Sequence, residues 1–191
     1  MKRYSVLLFL GVSLALYAWP QPVLAKEKTK AQQRADIRKM ERETLAMLYK
    51  AHPAAKAAVG RAAGYAVFDN FGSHILVISS ARGQGVAVDN KTKKATYMTM
   101  YSGGVGLGVG VKDYRVVFVF KTRKAFNDFM KYGWDAEGQF DATAKAGKEG
   151  EEHAGATSVA PGVSVYQITE TGVALQATLH GTKYVKDKDL N

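Results

Sequence analysis

Residues 103–111 read GGVGLGVGV, which puts Gly104, Gly106, Gly108 and Gly110 on one parity and Val105, Leu107, Val109 and Val111 on the other. Period two is the repeat of a strand, whose successive side chains point to opposite faces. One face of this strand is therefore bare backbone, and the other is continuous aliphatic surface. Glycine in a strand interior costs about 0.5–1 kcal/mol relative to alanine. Four on one face mark a close-approach surface for a helix, another sheet or a ligand. A face without side chains carries no catalytic group.

The chain begins with Lys2 and Arg3, continues through the apolar run Val6–Leu16, and reaches Val23-Leu24-Ala25 just before Lys26. This is the order of a secretory signal peptide, here residues 1–25. The competing reading is an uncleaved anchor, but the apolar core is shorter than the ~20 residues a spanning helix needs. The expectation is an exported protein, periplasmic or peripheral to the cell envelope. Its mature part has 166 residues and, after losing Lys2 and Arg3 from a net charge of +10, carries +8. With no cysteine, the chain has no disulfide, thiol chemistry, cysteine-bound zinc or lipid-modified N-terminal cysteine. The basic balance favours anionic partners. For an exported chain these are lipid headgroups or surface polysaccharide rather than nucleic acid.

Thr29-Lys30-Ala31-Gln32 has capping-box spacing and predicts a helix over 29–51, with Ile37, Met40, Thr44, Met47/Leu48 and Ala51 as its stripe. Pro53 starts a second, alanine-rich helix that Gly60 and Gly64 end. Period two then takes over in Tyr65–Phe68, Ser73–Ser80 and Gly83–Asp89, with a bend or bulge expected at Ala81-Arg82. Asp89–Thr92 is a turn. Tyr114–Lys121 is apolar on both parities and suits a central strand. Thr122 caps a third helix carrying Phe126, Phe129 and Met130, which Gly133 stops. Residues 136–146 alternate as a strand, 147–162 form a polar loop or irregular strand, and 163–169 and 173–180 form a hairpin. The charged tail from Lys183 is expected to fray. The fold class is α+β: two or three helices on a curved, mostly antiparallel sheet or closed β-barrel.

Most candidate chemistry dissolves on inspection. The glycine stripe lacks the G-x-G-x-x-G that opens a dinucleotide-binding helix, and Gly147-Lys148 lacks the rest of a phosphate loop. His52, His74, His153 and His180 are scattered, Ser79-Ser80 has no nucleophile elbow, and Asp69 and Asp113 read as turn residues. Glu149, Glu151, Glu152 and His153 read as a solvated acidic loop, so no metal and no cofactor is expected. What remains is charge. Arg34, Arg38, Lys39 and Arg42 crowd the first helix, and Lys121, Arg123 and Lys124 lie at a strand-to-helix junction. A basic amphipathic helix can lie on an anionic membrane, and helix N-terminal amides also favour anions.

The order Ala63-Gly64-Tyr65-Ala66-Val67-Phe68, Gly83-Gln84-Gly85-Val86, Gly104-Val105-Gly106-Leu107-Gly108, Val116–Phe120, Val165-Tyr166, Gly172–Leu175 and Gly181–Tyr184 resembles the SYLF (Ysc84-type) domain in its exported bacterial form. The resemblance runs from about His52 to Asn191, leaving 26–51 as a basic amphipathic helix ahead of it. It implies binding of phosphoinositides or other anionic lipids, actin binding in fungal relatives, and no catalysis. The W-S-x-P-S-A segment of eukaryotic relatives is replaced by Ala95–Met100. An exported chain meets neither cytoplasmic actin nor phosphoinositides, so the lipid would be a different anionic species. The expected function is non-enzymatic contact with anionic lipid through Arg34, Arg38, Lys39, Arg42, Lys121, Arg123 and Lys124. The alternative is an envelope structural or protein-interaction module that docks a partner on the glycine face.

Overall fold

The computed structural model describes residues 28–72, 79–104, 113–135, 152–153, 156–169 and 182–191. Among these residues three helices, α1 (Lys30–Ala51), α2 (Pro53–Arg61) and α3 (Arg123–Tyr132), accompany nine strands. The strands are β1 (Gly64–Gly72), β2 (Ser79–Asp89), β3 (Ala95–Gly104), β4 (Asp113–Phe120), β5 (Trp134–Asp135), β6 (Glu152–His153), β7 (Ala156–Ala160), β8 (Val163–Thr169) and β9 (Thr182–Lys186). They form one sheet in the order β5-β9-β3-β2-β1-β4-β8-β7-β6, antiparallel at each junction. The sheet curls into a half-barrel. Its described strands leave two short edges, β5 and β6, so the curved α+β sheet is observed rather than the closed barrel.

Strand alternation divides the apolar residues between two faces. Ala66, Phe68, Ala87, Met98, Met100, Val116, Phe118 and Phe120 face inward and enclose Phe126 and Phe129 of α3. Phe68 and Phe118 each meet the Tyr184 ring edge-on, at 4.6 and 4.9 Å between centroids. On the outer face Val67, Val117, Val119 and Tyr166 receive Leu48 of α1 and Ala55 and Val59 of α2. Val86 and Val88 receive Ile37 of α1. The doubly apolar β4 lies between β1 and β8, as its sequence predicts.

Helix boundaries follow their chemistry. The Thr29 side chain accepts from the Gln32 N–H while the Gln32 side chain accepts from the Thr29 N–H, the reciprocal capping box. Thr122 caps α3 and Gly133, at φ 76°, ends it. Gly60 lies inside α2 instead of ending it, because Ala62 turns extended and Ala63 passes directly into the sheet by donating to the Phe120 carbonyl.

Three expectations need correction. Ala81 and Arg82 are neither bend nor bulge: β2 pairs regularly there with Gly72 and Phe71 of β1. Asp69 is not a turn residue; it lies in β1, cross-strand from Arg115, whose guanidinium is 3.5 Å from its carboxylate. The tail does not fray. Residues 182–186 form β9 between β3 and β5, Tyr184 is fully buried, and Leu190 packs with Ile37, Val86 and Val88. Arg34 donates to the Leu190 carbonyl at 2.8 Å, so the tail pins α1. Deleting 187–191 should destabilise the protein by about 2–3 kcal/mol, the scale of one buried leucine. Thermal melts of the shortened chain check this.

Gly103 and Gly104 close β3, opposite Ser80 and Ser79 of β2. Gly106, Gly108 and Gly110, the signal segment, the 136–146 strand and the 173–180 strand lie outside the described residues.

Candidate functional site

The basic residues of α1 divide by what they touch. The buried stripe is Ile37, Glu41, Thr44 and Leu48, of which only two are apolar. Arg34, Arg38 and Arg42 climb the flank beside it at intervals of four. Arg34 is held by the Leu190 carbonyl and lies 5.8 Å from the Tyr97 ring centroid. Arg38 reaches Glu41 at 2.7 Å, and the other Glu41 oxygen accepts from the Tyr65 hydroxyl at 2.7 Å. Glu41 is only 2 % exposed, so Arg38 is its charge partner and a fastening for the helix. Lys39 is exposed and 3.9 Å from Glu43, and Arg42 is exposed with no ion pair among the described residues.

Burial first, then the hydrogen bond and charge of Glu41, raise the Tyr65 phenol pKa above its ordinary value of 10. The unfolded chain ionises near 10 while the folded one resists. The stability this contributes is whole below pH 10 and is lost as pH rises above it. Burial raises Tyr49 and Tyr166 in the same direction. Tyr65→Phe should cost about 1–3 kcal/mol at pH 7, by stranding a Glu41 oxygen, and should flatten the alkaline loss. Urea midpoints at pH 8 and pH 10.5 measure both effects.

The second predicted cluster sits where β4 meets α3. The Lys121 N–H donates to the Gly162 carbonyl at 2.8 Å, fastening the junction to the β7–β8 turn. Lys124 pairs with Asp128 and Arg123 with Asp89, each at 2.6 Å, while the Lys121 side chain is exposed with no ion pair among the described residues. Thr92 and Lys91 backbone amides and the Arg123 guanidinium hold the Asp89 carboxyl below its ordinary pKa, the Thr92 contact foremost.

Register adds residues that the sequence reading did not single out. Gly64 of β1 is opposite Asp89 of β2 and Phe120 of β4, so the α2 end, the β2–β3 turn and the β4–α3 junction share one end of the sheet. The Asn90 side chain donates to the Val59 and Ala62 carbonyls at 2.7 and 2.9 Å, tying the turn to α2. Arg61, Lys91, Lys93 and Lys94 thereby join Lys121, Arg123 and Lys124. All seven are exposed. The signal was present as K-T-K-K after a turn aspartate, but it reads as an ordinary solvated turn until the strand order is known.

Histidines do not gather: His52 joins α1 to α2, His153 lies in β6, and His74 and His180 are outside the described residues. Among the described residues no three His, Cys, Asp or Glu side chains come together as a metal site, and no helix is long and apolar enough to cross a membrane.

Residues 101–191 match the family model Ysc84, described as Las17-binding protein actin regulator. Over these residues the chain is similar to the Ysc84 family. Beta cell expansion factor A of Aeromonas veronii is 38% identical over 163 residues, 85% of this chain and 60% of that protein. The chain thus spans about three fifths of the length of this curated relative. The family segment begins inside β3, at Tyr101, and contains β4, α3 and the β4–α3 basic junction. Arg61 and the turn lysines precede it.

Proposed function

We propose that this Ysc84-type protein is a non-enzymatic, exported envelope protein that binds anionic lipid surfaces. The observation that carries the reading is the unneutralised charge at the β4–α3 junction and its surroundings. Among the described residues, Arg61, Lys91, Lys93, Lys94 and Lys121 have no ion pair, beside the paired Arg123 and Lys124. Exposed cations near an anionic bilayer contribute about 1 kcal/mol each, so a group of this size supports reversible adsorption without a spanning helix. The signal-like start supports export.

The test is flotation of the mature chain with neutral phosphatidylcholine vesicles and with vesicles containing phosphatidylglycerol. Binding is expected only to the anionic vesicles, and should fall sharply between 0.15 and 1 M salt as the Debye length shrinks from about 8 to 3 Å. Equal recovery with both vesicles, insensitive to salt, would overturn the reading.

A further inference from the structure

We infer that the face which meets the bilayer is the end of the sheet where α2, the β2–β3 turn and the β4–α3 junction converge, and not the arginine flank of α1. The inference rests on the lipid-binding reading and names its surface.

The geometry separates the two sets of cations by function. Arg34 and Arg38 are fastened within the protein, to the Leu190 carbonyl and to buried Glu41. Turning Arg38 to a membrane would strand Glu41 in the interface between α1 and the sheet, and turning Arg34 would release the Leu190 carbonyl. Arg61, Lys91, Lys93, Lys94 and Lys121 carry no such duty. They are exposed on three segments that the β1 register fixes against one another. Between Arg61 and Ala62, Asp89 and Lys94, and Lys121 and Asp128, the only acids are Asp89 and Asp128, both already paired. Charges spread over three segments and pointing into solvent fit an extended anionic surface better than one small phosphate.

The turn itself is unusually constrained. Asp89 accepts from the Lys91 and Thr92 amides at 2.8 and 3.1 Å, which closes the turn. Lys93 is held at φ 59°, the left-handed region where glycine or asparagine is easier to place. A lysine at that position keeps a third cation on the tip.

The experiment compares two triple variants of equal charge change in the mature chain. Lys91→Glu/Lys93→Glu/Lys94→Glu alters the sheet end, and Lys39→Glu/Arg42→Glu/Lys50→Glu alters exposed positions of α1. Partition is measured on vesicles of phosphatidylcholine with phosphatidylglycerol, after circular dichroism has shown that both variants melt cooperatively. The turn variant should lose about a hundredfold in partition, and the α1 variant less than about fivefold. Equal losses, or a larger loss for the α1 variant, overturn the assignment of the face while leaving lipid binding intact. Failure of the unaltered chain to bind these vesicles overturns the lipid reading as well. Binding of soluble polyphosphate without vesicle binding likewise overturns the bilayer assignment.

Discussion

Gly85→Ala should lower stability by about 3 kcal/mol, the upper part of the range for overpacked cores. A Cβ on Gly85 would overlap both the Phe68 ring and the Val67 carbonyl of the neighbouring strand. The ring can shift, but the carbonyl belongs to the β1 backbone and is held in the sheet. For a chain of this size the melting temperature should fall by about 6–12 °C. Gly60→Ala is the matched control. It adds the same methyl inside α2, where nothing lies within 4 Å, and should stabilise by about 0.5–1 kcal/mol. Opposite signs for one chemical change would show that β2 uses glycine to admit the core ring of its own neighbour. Two shifts of the same sign would remove that explanation.

Glu41→Ala is expected to cost about 3 kcal/mol, the low end for removing one partner of a buried ion pair. Arg38 is 36% exposed at its side chain and can turn towards water, which spares the upper end of that range. Tyr65 then loses its acceptor. The double variant Glu41→Met/Tyr65→Phe should recover part of the loss, because it removes the stranded polar group together with its partner. Denaturant midpoints for Glu41→Met, Tyr65→Phe and the double variant close the cycle. Additive losses would mean that the two side chains do not act together.

Much of the local structure was legible in the sequence because it is decided within a few residues. Thr29 and Gln32 specify the start of α1, Thr122 and Gly133 bound α3, and the two apolar parities of 114–121 announce an interior strand. Features decided by register were not legible. Asp69 reads as a turn aspartate until Arg115 lies opposite, and the role of Glu41 emerges only once Tyr65 lies beside it. The tail reads as free because its charges conceal two buried residues, Tyr184 and Leu190. The basic sheet end was hidden for the same reason: its members lie as much as 63 positions apart, from Arg61 to Lys124, and only the pairing of Gly64 with Asp89 and Phe120 joins them.

The close-approach reading of the glycines gains a concrete counterpart in β2, where Gly83 meets the Asp69 carbonyl and Met100, and Gly85 meets Phe68. Gly64 likewise receives the Phe126 ring, at 2.5 Å from where its Cβ would stand. In each case the approaching group is the chain's own core. At Gly64, Gly83 and Gly85 the absent side chain therefore serves packing.

Because the chain has no cysteine, a single cysteine carrying a polarity-sensitive dye can be placed at will. With the dye at position 93, adding phosphatidylglycerol vesicles should shift its emission to the blue, and 1 M salt should reverse the shift. With the dye at position 39, on the solvent side of α1, the emission should stay unchanged. A blue shift at position 39 with none at position 93 would contradict the proposed membrane face.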